Sequence, residues 1–249
     1  MKFYVVNIRL ILSVILLSAL AAGFIVSGRY IAASSSPKEI PVYCVDTEKN
    51  EISITFDCAW SADDIDSVIE TLAKYNCPAT FFAVGDWVEK YPDAVKKLSE
   101  NGHTVANHSY SHAHFNNLTA QQMLSDMDKC DSLIESVTGK RPVLFRAPYG
   151  EYNDTLIRQC GNTGRFYIQW SVDSLDWTDI SADEIYNRVV QKTKPGDIIL
   201  FHNGTKYTKD VLPRILEKLS ENYTFTLTEN MIYKDNYTID HTGRQHKNK

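Results

Sequence analysis

Short apolar runs alternate with amphipathic stretches from residue 51 onward. Runs of β-branched and aromatic residues predict strands, and apolar residues three or four positions apart predict helices that pack one face on a core. The predicted strands are 52–56, 79–84, 104–106, 143–145, 166–170, 198–201 and 224–227. The predicted helices are 64–75, 92–100, 119–137, 154–160, 181–193 and 208–221. Such regular alternation predicts parallel βα units, arranged as a barrel or as a doubly wound sheet.

The N-terminal segment differs from the rest because Leu10 to Gly28 is an uncharged, mostly apolar run of 19 residues. A helix of that length spans about 28 Å, close to the thickness of a bilayer core. Lys2 and Arg9 precede the run, which predicts a body outside the cytoplasm. We expect residues 1–30 to be a signal anchor in the membrane, or a signal peptide whose removal leaves the protein secreted.

Three further segments follow along the chain. Residues 31–48 are predicted to be a polar, Ser-rich linker, and residues 49–233 hold the alternating pattern and are predicted to form a single domain. Residues 234–249 are polar and are predicted to fray. We expect the protein to be a monomer.

Composition and charge narrow the class of protein. The 249 residues are 43% hydrophobic and 23% charged, which is typical of a globular protein and not of a disordered or collagen-like chain. The formal net charge is −5, and beyond residue 36 the chain has 23 basic against 31 acidic residues. So acidic a body lacks the basic surface that nucleic acid requires, which excludes a nucleic-acid partner.

The five cysteines are spaced too widely for a zinc site made of thiolates. The nearest two, Cys44 and Cys58, are 14 positions apart, and the sequence contains no CxxC. One or two disulfides fit an extracytoplasmic protein, and the spacing leaves their pairing open.

Polar side chains stand at or just after the ends of five predicted strands. These residues are Asp57, Asn107 with His108, Arg146, Asp173 and His202. The carboxyl ends of parallel strands gather at one rim of a βα barrel, where active sites are built. The pattern therefore predicts a polar site at that rim.

His108 and His112 have the i, i+4 spacing that lets two imidazoles bind one metal ion. Two imidazoles and a carboxylate leave coordination positions open for water and substrate, as in hydrolytic metal sites. A metal ion bound there would lower the pKa of its water and polarise a carbonyl. Capping of a turn is the alternative interpretation of either histidine.

Hydrolysis also requires a proton acceptor and a proton donor. Asp57 suits the base and His202 the acid, and the two require different protonation states. Arg146 would keep Asp57 ionised, and Asp176 would keep His202 protonated. The turn at Tyr149 would present a backbone N–H to an oxyanion. Trp60, Tyr149 and Trp177 follow these strands, where flat rings suit sugars, although packing at the rim explains each ring equally well.

Five short motifs in this chain resemble, in the same order, those of the NodB-homology polysaccharide deacetylases, carbohydrate esterase family four. The motifs are Thr55-Phe56-Asp57, His108-Ser109-Tyr110-Ser111-His112, Arg146-Ala147-Pro148-Tyr149-Gly150, Asp173-Ser174-Leu175-Asp176-Trp177 and Leu200-Phe201-His202. The resemblance covers about residues 49–230. It implies an α/β fold, a distorted (β/α) barrel, and metal-dependent removal of N-acetyl groups from an amino-sugar polymer.

The resemblance also implies roles for individual residues. Asp57 would be the base, His202 the acid, and His108 and His112 the metal ligands. Arg146 would orient the base and Asp176 would tune the acid. The Tyr149 amide would lie in the oxyanion site, Trp177 would line the groove, and Leu200 the acetyl-methyl pocket. Zinc is the expected ion, with cobalt, nickel and manganese as alternatives.

The first motif departs from the family at one position. The family has a second aspartate after the base, as the third metal ligand, and this chain has Cys58 there. A thiolate would favour softer ions and invite oxidation. We expect Asp64, at the start of the next helix, to supply the carboxylate instead, with Asp63 or Cys58 as the alternatives.

Two functions of different class follow. The first is a hydrolase that deacetylates peptidoglycan or a related acetylated cell-wall polysaccharide, similar to the membrane-anchored cell-wall and spore members of the family. The second is a pseudoenzyme that binds wall glycan and has lost tight metal binding at Cys58. The retained base, acid and partners favour catalysis.

Overall fold

The computed structural model of the protein describes residues 38–248, in which strands and helices alternate. The strands are β1 (Cys44–Val45), β2 (Glu51–Cys58), β3 (Ala79–Ala83), β4 (Thr104–Asn107), β5 (Leu144–Phe145), β6 (Phe166–Tyr167), β7 (Val172–Asp173), β8 (Ile198–His202), β9 (Thr224–Phe225), β10 (Tyr237–Ile239) and β11 (Arg244–Lys247). The α-helices are α1 (Ile65–Lys74), α2 (Gly85–Lys90), α3 (Pro92–Glu100), α4 (Ala120–Thr138), α5 (Asp154–Asn162), α6 (Ala182–Lys192), α7 (Thr208–Ser220) and α8 (Thr228–Met231).

The main sheet is parallel and has the strand order β6-β5-β4-β3-β2-β8-β7, with β9 paired to the start of β2. Each crossover between paired strands contains a helix or a long connection, as parallel pairing requires. The sheet curls into a half-barrel, and all its strands point their carboxyl ends to one rim. The prediction of an α/β fold with a distorted (β/α) barrel is confirmed.

Alternation along the central strand β2 decides which side chains reach the site. Ile52, Ile54 and Phe56 belong to the apolar core beneath the helices. Because successive side chains point to opposite faces of a strand, Thr55 and Asp57 lie on the inner face of the curl. The helices cover the outer face with apolar stripes such as that of α1, whose buried residues are Ile65, Val68, Ile69 and Leu72.

The C-terminal segment forms a second sheet, so the prediction that residues 234–249 fray is wrong. β11 pairs in parallel with β1 and antiparallel with β10. Gln245 is fully buried and exchanges two hydrogen bonds with the Tyr233 backbone, at 2.8 and 2.7 Å. Backbone pairing also begins at Val42, inside the segment predicted to be a linker.

The predicted membrane segment, residues 1–30, and residues 31–37 of the predicted linker lie outside the described residues. Between residues 38 and 248, no helix is both long enough and apolar enough to cross a membrane. All five cysteines fall in this described part of the chain, where each is buried with a free thiol.

Candidate active site

A cleft of about 350 Å³ opens at the rim where the parallel strands end. Its lining residues are Asp57, Ala59, Trp60, His108, His112, Tyr149, Trp170, Asp173, Trp177, Leu200 and His202. The family resemblance and the search for a third ligand gave ten residues a catalytic, metal-binding or substrate-binding role. Seven of these ten face the cleft, namely Asp57, His108, His112, Tyr149, Trp177, Leu200 and His202. Arg146 and Asp176 are buried behind it, and Asp64 does not line it.

Asp57 is held by a fully buried arginine. Arg146 Nη1 donates to Asp57 Oδ1 at 2.7 Å and to Thr55 Oγ1 at 3.0 Å, and its Nη2 donates to the Gln169 carbonyl at 3.0 Å. Burial would raise the pKa of Asp57, but the charge of Arg146, with its hydrogen bond, and the charge of His202 lower it below the ordinary 3.8. Asp57 is therefore a rigidly oriented carboxylate that stays ionised.

His202 is paired with a buried carboxylate, whereas Asp57 is paired with a buried cation. Its Nδ1–H donates to Asp176 Oδ1 at 2.8 Å, and its backbone N–H donates to Asp176 Oδ2 at 2.8 Å. Burial would lower the pKa of His202, but the hydrogen bond and charge of Asp176 raise it above 6.5. Thr208 Oγ1 also donates to Asp176. His202 is therefore favoured as the protonated imidazolium.

The ionised carboxylate and the protonated imidazole are neighbours. Asp57 on β2 and His202 on β8 are register partners at the ends of adjacent parallel strands. Strand pairing thus fixes their separation, and each ring or carboxylate is further locked by its own buried partner. A proton acceptor and a proton donor side by side on one cleft are the requirements for hydrolysing an amide.

The imidazole pair lies beside the carboxylate, with ring centroids 5.3 Å apart. His108 Nδ1 donates to the Arg146 carbonyl at 2.8 Å, which leaves the lone pair on Nε2, 3.5 Å from Asp57 Oδ2. Burial lowers the pKa of His108, and it lowers the pKa of His112 to about 4. Both rings are therefore neutral near pH 7, which is the state that ligates metals.

The loop that carries the two imidazoles has an unusual backbone. Ser109 and His112 have φ of 68° and 52°, the left-handed region that side chains with a Cβ disfavour. The Asn107 side chain accepts the Ser109 N–H at 2.8 Å, and Ser109 Oγ accepts the His112 N–H at 2.9 Å. Asn107 is the last residue of β4, so this strand end provides both the first imidazole and a side chain that holds its loop.

Of the three metal ligands that the resemblance implies, the structure brings together two, His108 and His112. Within residues 38–248, no group of three His, Cys, Asp or Glu side chains is arranged to hold a metal ion. Cys58 occupies the position of the missing carboxylate, but its side chain is fully buried in the core. Burial raises the pKa of this thiol well above 9, so it is not a thiolate.

Asp64, the predicted third ligand, is placed on another segment. Its Oδ2 accepts the Gly204 N–H at 2.7 Å, and its Oδ1 is buried without a hydrogen-bond partner among the described residues. Burial raises the pKa of this carboxyl. The structure therefore does not bring Asp64 to the imidazoles, because its carboxyl group is directed to the loop after β8. Asp63, the other alternative, is exposed.

Aromatic side chains frame the mouth of the cleft. Trp60, Tyr149 and Trp177 are 46%, 59% and 56% exposed, which is unusual for rings of this size. Tyr149 has φ of 62°, stacks on His114 with centroids 4.1 Å apart, and its hydroxyl hydrogen-bonds His112 Nδ1 at 3.2 Å. Leu200 is buried in the cleft wall. This mouth suits a substrate with flat apolar faces, such as a sugar.

Comparison with known proteins gives consistent matches. The family described as "Polysaccharide deacetylase" matches residues 45–167. A peptidoglycan-N-acetylglucosamine deacetylase from Bacillus cereus is 32% identical over 69% of this chain and 64% of its own length. The solved peptidoglycan deacetylase PdaC from Bacillus subtilis is 31% identical, with a TM-score of 0.69, over 75% of this chain and 92% of that one.

A further solved relative is a CE4 family pseudoenzyme from Bacillus anthracis. It is 27% identical, with a TM-score of 0.74, over 86% of this chain and 74% of that one. The chain spans between 39% and 64% of the length of the first curated relatives that it matches.

Proposed function

This chain belongs to the polysaccharide deacetylase family, and we propose that it is a hydrolase that removes N-acetyl groups from peptidoglycan or a related cell-wall glycan. The observation that carries the proposal is the pairing of Asp57 with His202 on one cleft, each with a buried partner that favours its working charge. The names of the relatives, peptidoglycan deacetylases, support the substrate class.

In the proposed reaction, Asp57 accepts a proton from water as the water oxygen bonds to the acetamide carbon. His202 then donates its proton to the amide nitrogen as the carbon–nitrogen bond breaks, which leaves acetate and a free amino sugar. Arg146 keeps the base ionised and aimed, and Asp176 keeps the acid charged. The Tyr149 backbone N–H would stabilise the oxyanion.

The wall of the cleft would select the acetylated sugar. Leu200, Trp60 and Trp177 line the cleft. Leu200 would contact the acetyl methyl group, and the two tryptophans would stack on sugar rings. We propose that a divalent ion, with zinc expected from its preference for imidazole, binds at His108 and His112. When bound, such an ion would polarise the amide carbonyl and lower the pKa of its water.

We also propose an extracytoplasmic location. The support is the apolar run of residues 10–28 behind Lys2 and Arg9, which predicts a membrane anchor or a removed signal. Peptidoglycan lies in that compartment, so the location and the substrate class agree.

A second candidate function is a glycan-binding pseudoenzyme. Cys58 in place of the ligand carboxylate favours it, as does the similarity to a CE4 family pseudoenzyme. Loss of that ligand would weaken metal binding without changing the aromatic mouth of the cleft.

Acetate release separates the two candidates. The full chain is incubated with N-acetylglucosamine oligomers and with peptidoglycan, with added zinc or cobalt and after chelation. Asp57→Asn should lower kcat by ~10²–10⁴-fold because the base is lost while the oxygen facing Arg146 remains. Circular dichroism should show the same fold in both proteins. Glycan binding without acetate release in every condition would support the pseudoenzyme.

A further inference from the structure

We infer that Asp64 is a positioning residue that fixes the segment carrying the proposed acid, His202, to the segment carrying the proposed base, Asp57. The inference rests on the proposed function for its kinetic consequence, but its structural content stands alone. It gives Asp64 a role other than the metal ligand that its position in the sequence suggests.

Two side-chain bonds join the loop after β2 to the loop after β8. Asp64 Oδ2 accepts the Gly204 N–H at 2.7 Å, and Asn203 Nδ2 donates to the Ser61 carbonyl. Asp64 is 6% exposed and Asn203 fully buried, so water does not compete for these bonds. A hydrogen bond to a charged or buried carboxyl group is among the stronger ones in a protein.

The two loops also approach each other closely at Gly204. Gly204 has φ of 68°, and a Cβ there would lie 3.2 Å from Trp60 Cβ and from the Ser61 nitrogen. Glycine favours both this backbone conformation and so close an approach, because it has no Cβ. The hydrogen bond from the Gly204 N–H to Asp64 therefore reinforces the close contact between the two loops.

Two carboxyl groups therefore hold the segment from His202 to Gly204, one at each end of it. Asp176 binds the His202 ring and backbone, and Asp64 binds the backbone two residues later. Trp60, on the Asp64 side, covers the His202 ring with centroids 5.4 Å apart. Loss of the hydrogen bond between the Gly204 N–H and Asp64 would let residues 203–204 move. That movement would loosen the bond between His202 and Asp176.

The test compares Asp64→Ala with Asp64→Asn in the full chain, with Asp66→Ala as an exposed acidic control on the same helix. Asparagine keeps an oxygen that accepts the Gly204 N–H, whereas alanine removes it. We expect Asp64→Ala to lower kcat by about 10–100-fold, with KM unchanged, because the acid is displaced. Asp64→Asn and Asp66→Ala should stay within about two-fold of the parent protein.

Two readouts do not depend on turnover. An NMR titration of His202 should show a lower pKa in Asp64→Ala, because the bond to Asp176 is weakened, and an unchanged pKa in Asp64→Asn. Zinc titration by calorimetry should give the same affinity in all three variants. Thermal unfolding checks that each variant is folded.

Two results would overturn the inference. One is an unchanged kcat and an unchanged His202 titration in Asp64→Ala. The other is a loss of zinc affinity in both Asp64→Ala and Asp64→Asn, which would make Asp64 a metal ligand. If the parent protein releases no acetate from any glycan, the proposed function fails, and the His202 titration still decides the role of Asp64.

Discussion

Burial shifts the pKa values of Asp57 and His202 in opposite directions, and in each case a neighbouring charge outweighs the effect of burial. Burial would neutralise Asp57 by raising its pKa, but Arg146 and His202 lower that pKa. Burial would neutralise His202 by lowering its pKa, but Asp176 raises it. The neighbouring charges therefore favour the ionised base and the protonated acid, although each charge is costly to bury alone.

The pH profile should depend on Asp176. Because the pKa of His202 is raised above 6.5, its acid form persists above that pH and is lost as pH rises through the raised value. Asp176→Asn removes the negative charge and should move the basic limb of the kcat profile down by ~1–3 pH units. Asp179→Asn, at an exposed neighbour, should leave the limb in place. An unmoved limb in Asp176→Asn would show that His202 is not the acid.

At the scale of elements, α4 holds the loop that carries the imidazoles. Asp126 accepts the Tyr110 N–H at 2.6 Å and the Ser111 hydroxyl at 2.8 Å. One turn further, the buried Asp131 accepts from Asn107 Nδ2 at 2.5 Å and from Arg165 Nε at 2.9 Å. The helix thus restrains a loop whose backbone includes two disfavoured φ values.

Removal of Asp126, the partly buried anchor on α4, should weaken metal binding. In Asp126→Ala the loop at 110–111 loses its acceptors, so Ser109 and His112 can relax from positive φ and the imidazoles separate. Loss of such a supporting contact typically costs ~10–100-fold in metal affinity, which zinc calorimetry measures. Glu135→Ala removes an acid of the same helix that contacts Arg141 instead, and it should leave the affinity unchanged. Equal affinities in the two variants would contradict this role for α4.

Periodicity predicted the elements that bury an apolar stripe or run. The helix predicted over 119–137 is Ala120–Thr138, and the one over 92–100 is reproduced. The helix Gly85–Lys90 was not predicted because six residues are too few to show a helical period. The C-terminal hairpin was missed because its strands are polar, with the single fully buried Gln245 as their inward contact.

At the scale of the whole molecule, the parallel topology explains why most of the site was predictable. Strand carboxyl ends meet at one rim whatever their distance along the chain, so Asp57, Arg146 and His202 were predicted together. Asp64 lies at the start of a helix, where the sequence gives the spacing from the strand but not the direction of the side chain. Its bond to Gly204 spans 140 residues, and no local pattern encodes such a contact.

A histidine joins the two ends of the described chain. His246 on β11 hydrogen-bonds Asp46, just after β1, through Nδ1 and Asp240, just after β10, through Nε2, both at 2.9 Å. These two carboxylates raise the pKa of His246 above 6.5. Only the imidazolium has a proton for both carboxylates at once, so the link between the two ends depends on its charge.

The sign of the resulting pH dependence follows from that raised pKa. The stabilisation by His246 is fully present below pH 6.5 and is lost as pH rises through the raised value. Amides of β10 and β11 should therefore lose protection from hydrogen exchange as the pH rises above 6.5, after correction for the intrinsic rate. His246→Gln should show lower protection at pH 6 and little further change. His241→Gln, an exposed control in the same hairpin, should follow the parent protein. The same pH dependence in His246→Gln would show that other groups hold the hairpin to β1.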